Sequence, residues 1–215
     1  MIDAKRLSSF DWLLLLLTLL LVGLGLLVIN SATTNMRTAD VDLRDLPAVR
    51  QMAFAILGVI VLAVVGLVDY RFWLRWRWLL YGGAIALLAG VQVAGRVVFG
   101  ARSSFDLAVV ALQPSEPAKI VLIVVLARYF ADHEAEVKKG SGILVSALLV
   151  APIIGLVSAE PDLGTAAVLC AIWLGMLFVA GLRVQHVVLL ALAAIVLAPL
   201  VWTVMPDHAR ERVMM

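Results

Sequence analysis

Cysteine is all but missing from this sequence: Cys170 alone, within an apolar run, excludes a disulfide framework and a thiolate metal cluster. It reads as a small core residue. Histidine is scarce as well. His133, His186 and His208 have no ligand spacing to one another or to Cys170, so the residues give no metal site. Charge is also thin, at 15% of the 215 residues with a net of +2, too little to argue for nucleic acid. What remains is hydrocarbon. Hydrophobic residues make up 64% of the chain and mean hydropathy is +1.07, far above an ordinary soluble domain, so this is an integral membrane protein.

The apolar runs predict about seven helical spans. The first covers Trp12 to Ile29, too long for a secretory signal, with Asp11 placed to cap it. A polar loop from Ser31 to Ala48 leads to the second, Val49 to Val68. The stretch Asp69–Trp78 alternates arginine with tryptophan, tyrosine and phenylalanine, which between two spans reads as a headgroup-level belt. The third span covers Leu79 to Ala94, and Gly95 to Leu112 reads as a loop. The fourth helix begins in Gln113-Pro114-Ser115-Glu116-Pro117-Ala118-Lys119 and runs to Tyr129. A mixed-charge connector from Asp132 to Lys139 precedes the fifth span, Ile143 to Val157, which Pro152 is expected to kink. The sixth opens at Pro161 and ends at Leu182, and the seventh covers Val184 to Val204.

Two polar clusters stand against this apolar background. Proline is tolerated in a first helical turn, so Pro114 and Pro117 mark a helix start that Ser115 or Gln113 can cap. Glu116 and Lys119 then share one face, one turn apart. A charge at the bilayer centre costs about 2.5–3.5 kcal/mol, so the two need a partner, a cavity or a task. If buried together, losing one partner costs about 3–5 kcal/mol. The second cluster is Glu160-Pro161-Asp162-Leu163-Gly164-Thr165, where Asp162 falls in a first turn favoured by the helix dipole. Plain ion pairing for Glu116 with Lys119, and plain capping for Asp162, stay open beside a functional role.

Basic residues set the expected topology. With a cytoplasmic N-terminus the inner side collects Lys5, Arg6, Arg71, Arg75, Arg77, Arg128, Lys138, Lys139 and Arg183, a modest excess over the outer side. Both polar clusters then face outward, as for a shared cavity.

Gln113-Pro114-Ser115-Glu116 with Lys119, Pro161-Asp162-Leu163-Gly164-Thr165-Ala166, Asp11-Trp12 and Ser31-Ala32 together resemble the SEDS family of shape, elongation, division and sporulation proteins. These are RodA/FtsW-like proteins, and the RodA branch is the nearer one. The resemblance runs along essentially the whole chain. It implies an all-α, polytopic fold of ten spans in the bacterial inner (plasma) membrane, with residues 1–215 as a single transmembrane domain from its N-terminal part. It implies a peptidoglycan glycosyltransferase that polymerises lipid II in cell-wall elongation or division. The implied partners are a class B penicillin-binding transpeptidase and other elongasome or divisome membrane proteins.

Carried over by position, Glu116 and Lys119 match the family's charged pair, and Asp162 matches the acidic residue opening the sixth span. Gln113, Ser115, Thr165 and Arg102 complete the candidate cavity residues. The family's catalytic aspartate is expected beyond Met215, so no catalytic residue is assigned here, and this stretch alone is expected to insert but make no glycan. One motif departs from the family: Gly-Ala-x-Arg-Trp is here Gly100-Ala101-Arg102-Ser103-Ser104, with Arg102 one place from the lost guanidinium.

Polymerising a lipid diphosphate requires a base for a sugar hydroxyl and positive charge for the departing diphosphate. The helix starts at Pro114 and Pro161, with Lys119 or Arg102, can supply the second. Only Glu116 or Asp162 offers the first. No cofactor is evident, and a divalent cation is left open. A lipid-linked precursor flippase or transporter would show similar intramembrane charges, although no paired repeats are visible. A scaffold that only docks a transpeptidase is the third reading.

Overall fold

The computed structural model describes residues 11–33, 47–98, 101–107, 110–160 and 162–183, then 185, 186, 188–190, 192, 196 and 203; within these, the side chains of 96–98, 101, 102, 106, 107, 110 and 163 are left aside. The chain divides into two compact units, residues 1–69 and 70–215.

The first unit holds helices α1 (Trp12–Ala32) and α2 (Pro47–Leu67). Each has 21 residues, about 31 Å of helix, which matches the hydrocarbon thickness of a bilayer. Asp11 caps α1, accepting from the Leu14 amide at 2.9 Å, as its position before the apolar run suggests. The hydroxyls of Thr18 and Thr33 donate back to Leu14 O and Ile29 O at 2.8 Å each. Such internal bonding lets a hydroxyl sit on an otherwise apolar helix.

The second unit begins with a short helix, α3 (Tyr70–Arg75), separated by Trp76 from α4 (Arg77–Ala94). A small sheet follows, β1 (Arg96–Val98), β2 (Ala101–Leu107) and β3 (Val110–Leu112), then α5 (Ser115–Asp132), α6 (Glu134–Lys139), α7 (Ser141–Ala159) and α8 (Leu163–Val179). Helices α4, α5, α7 and α8 share one core, centred on Leu88, Leu122, Leu126, Ile153, Val157 and Leu169. Between apolar helices in lipid, hydrogen bonds and close packing replace the hydrophobic effect. Here Tyr81 donates to Leu149 O at 2.6 Å, Gln92 Nε2 to Leu156 O at 3.1 Å, and Trp173 Nε1 to Ser146 Oγ at 3.0 Å. Pro152 lies inside α7, where it takes away the amide that would otherwise reach Leu148 O.

Within the stretch from Gly95 to Leu112, expected as a loop, the described residues form a three-stranded antiparallel sheet in the order β1-β2-β3. Arg102 stands opposite Val97 and Phe105 opposite Leu112. Phe105 lies over the bare backbone of Gly90 on α4, 3.7 Å from where a Cβ would stand.

Among the described residues four helices, α1, α2, α4 and α7, are long and apolar enough to cross a membrane. The expected fourth and sixth spans form as α5 and α8. The former carries Glu116, Lys119, Arg128 and Asp132, and the latter is 17 residues long. The seventh, Val184 to Val204, falls mostly outside the described residues. The polytopic helical architecture therefore stands, with the sheet as an addition.

The mixed-charge connector folds as α6, where Lys138 pairs with Glu134. It closes on Gly140 in the left-handed region at φ 87°. A Cβ there would collide with the His186 imidazole, so backbone and neighbour both require glycine.

Candidate functional site

The two polar clusters meet. Asp162 is the N-cap of α8: its Oδ1 accepts from the Thr165 amide at 3.0 Å, and its Oδ2 accepts from the Thr165 hydroxyl at 2.7 Å. The same Oδ2 accepts from Gln113 Nε2 at 3.2 Å, just before α5. Capping therefore holds for Asp162, and the carboxylate also ties the start of one helix to the start of the other. Gln113, Asp162 and Thr165 thus form one junction.

The start of α5 differs from expectation. Its N-cap is Pro114, and neither Gln113 nor Ser115 gives it a side-chain cap. Backbone carbonyls meet the need instead, with Gln113 O taking the Glu116 amide at 3.1 Å and Pro114 O taking the Ala118 amide at 3.2 Å. Pro117 has no amide to satisfy. The Gln113 side chain donates instead to Asp162. Ser115 is fully buried and its hydroxyl has no partner.

One turn on, Lys119 Nζ lies 2.9 Å from both carboxylate oxygens of Glu116. The pair is not buried: the Glu116 side chain is 59% exposed and that of Lys119 is 23% exposed. It stands in the first turns of α5, with both side chains partly open to the surroundings. Arg102 lies within β2, opposite Val97.

Glu160 is the residue that sequence reasoning passed over. It follows the last residue of α7, is 1% exposed, and neither carboxylate oxygen has a hydrogen-bond partner. Burial first, and the negative charge of Asp162 second, push it from its ordinary 4.5 up to about 7. A carboxyl poised there exchanges a proton near neutrality. The available signal was the acid itself, two residues before Asp162 at the end of an apolar helix. Among the described residues no group of three or more histidine, cysteine or acidic side chains gathers to hold a metal ion.

Apolar helices bound by cross-helix hydrogen bonds, with two polar helix starts joined at one end, define a polytopic membrane protein with a built polar junction. A family model described as a cell cycle protein, covering FtsW, RodA and SpoVE, matches residues 11–215. The chain belongs to that family, the SEDS proteins. It is 32% identical over 202 residues to "Peptidoglycan glycosyltransferase RodA" of Treponema pallidum (strain Nichols), covering 94% of this chain and 45% of the relative. Its fold is similar to a solved structure described as "Structural coordination of polymerization and crosslinking by a peptidoglycan synthase complex", with a TM-score of 0.78 and 31% identity over 96% of this chain and 58% of that one. The crystal structure of the rod shape determining protein RodA of Thermus thermophilus is similar at a TM-score of 0.67 and 30% identity, covering 88% of this chain and 60% of that one. The chain spans about half the length of the curated relatives it matches.

Proposed function

We propose that this chain forms part of a peptidoglycan glycosyltransferase that polymerises lipid II, the undecaprenyl-diphosphate-linked precursor, in the bacterial inner membrane. The observation that carries the reading is the Gln113–Asp162 junction, which sets two helix N-termini side by side next to Glu116 and Lys119. Helix N-termini and an ammonium suit a diphosphate leaving group, which gains negative charge as the sugar is transferred. Lys119 serves as the phosphate contact and Glu116 keeps its ammonium aimed. Glu160 holds or releases a proton beside Asp162. The family resemblance implies a proton-accepting aspartate besides the residues named here, so the reaction is tested on the full-length protein. The relative named as a peptidoglycan glycosyltransferase supports the substrate class. The neighbour described as joining polymerisation to crosslinking supports a penicillin-binding transpeptidase as partner.

In this reading the N-terminus and the α3 turn are cytoplasmic, and the junction faces outward where lipid II is consumed. No resident cofactor is part of it; a divalent cation on the diphosphate is tested by adding a chelator to the assay. The deciding experiment is glycan synthesis from purified lipid II by the full-length protein with and without its transpeptidase. Product that falls with Lys119→Met supports the reading. Transport of lipid II across vesicles with no glycan formed would replace it by a flippase.

A further inference from the structure

Four guanidinium groups converge at the opposite end of the second unit from the junction. Arg71 and Arg75 of α3, Arg77 at the start of α4, and Arg128 late in α5 line a cavity of about 350 Å³, completed by Tyr70 and Leu74. Among the described residues that line it there is no carboxylate; Asp132, outside the lining, pairs with Arg128. Arg128 Nε is held by Asp132 Oδ2 at 2.8 Å, and Arg77 Nη1 donates to Leu74 O at 3.0 Å while its guanidinium stands 5.6 Å over the Trp78 ring. Arg77 and Arg128 are thereby held in place, Arg128 against the carboxylate of Asp132, and Arg71 has an interaction partner as well. The cavity also borders the N-terminal end of α4, whose cap residue, Trp76, offers no side-chain acceptor, so the helix adds its own positive end.

Four guanidiniums around one small space, Arg128 among them paired with a carboxylate, suit an anion with several acceptor oxygens. Planar guanidiniums bind phosphate through paired hydrogen bonds, and the Tyr70 hydroxyl can add a donor. The surrounding side chains say where that phosphate comes from. Phe72 packs against Trp73 and Trp76 at centroid distances of 5.7 and 6.5 Å, and Tyr70, Phe72, Trp76 and Trp78 are all exposed. Exposed aromatic rings interleaved with arginine at the end of membrane helices sit at headgroup depth, where the phosphates are those of lipids. We propose that this cavity binds the phosphate of an anionic phospholipid headgroup, in the leaflet that α3 borders. The site is separate from the junction and does not depend on the reaction proposed for it.

The test compares the full-length protein in nanodiscs of phosphatidylcholine with and without a minority of phosphatidylglycerol. After extraction into mild detergent, the lipid that stays with the protein is quantified. Phosphatidylglycerol should be enriched over its share of the disc. Each guanidinium removed in the series Arg75→Gln, then Arg71→Gln, then Arg128→Gln should lower that enrichment by up to about fivefold. Lys138→Gln with Lys139→Gln on α6 should leave it unchanged. Arg75 is exposed, so Arg75→Gln reads the site even where the triple variant fails to fold, and circular dichroism checks each variant. Equal retention of the two lipids by the unaltered protein would overturn the proposal, as would enrichment that Arg75→Gln and Arg71→Gln leave intact. Displacement of the bound lipid by millimolar inorganic phosphate would assign the cavity to a soluble anion instead.

Discussion

The side-chain amide of Gln113 donates to Asp162 Oδ2 at 3.2 Å across 49 residues of sequence, joining the starts of α5 and α8. The contact couples two residues that otherwise serve separate helices. Asp162→Ala loses a helix cap, worth about 1 kcal/mol, as well as the bond from Gln113. Gln113→Leu loses only the bond. Their combined effect on thermal unfolding in detergent should fall short of the sum by about 0.5–1 kcal/mol. Strict additivity would show that the bond contributes nothing.

For Glu116 and Lys119 the exposure decides the magnitude. A buried pair would lose about 3–5 kcal/mol on losing one partner, but a pair as open as this one contributes about 0.2–1 kcal/mol. Glu116→Gln and Lys119→Met should therefore leave the unfolding midpoint nearly in place. Glycan synthesis by the full-length protein should drop by about tenfold or more, since charge aimed at a developing anion outweighs its effect on folding. Large destabilisation with unchanged synthesis would make the pair structural.

Glu160 predicts a dependence on pH with a definite sign. Its native carboxyl titrates near 7, above the ordinary 4.5, so between those values the folded chain holds a proton that the unfolded chain has released. Stability should fall as pH rises through that window and level off above about 7. Glu160→Gln removes this slope and should be the more stable variant on the alkaline side. Unfolding midpoints measured across the window check it, and parallel slopes in the two proteins would refute the assignment.

Gly140→Ala tests the turn between α6 and α7. The left-handed backbone costs a residue with a Cβ about 1–2 kcal/mol, and the collision with His186 adds to it. Adding His186→Ala should recover the part due to the collision and leave the backbone part. Full recovery would show that the φ angle carries no strain.

How much of this was legible depends on the range over which each signal acts. The helices were readable because runs such as Trp12–Ile29 are apolar on every side, and only a membrane accommodates that. The Asp11 cap was readable because the acid and the amide it accepts from are three residues apart. The sheet was not, because its strands are short, rich in small and polar residues such as Ser103 and Ser104, and stabilised by pairing across turns instead of by a repeating pattern. Both polar clusters stood out, yet no local rule joins Gln113 to Asp162. The cap expected of Gln113 or Ser115 is likewise absent, and what Gln113 does instead is donate to a carboxylate on another helix. Glu160 was visible as a letter, but its want of partners belongs to the packing around α7.

Gly140 also constrains the gene. At φ 87° and against the His186 ring, the position disfavours every amino acid that carries a Cβ. Every change to the first or second base of a glycine codon introduces a side chain carbon or a stop, whereas changes to the third base are silent. The codon for residue 140 therefore drifts without cost only at its third base, while a leucine facing lipid on α1 can be exchanged by single bases for other apolar residues that suit the same surroundings.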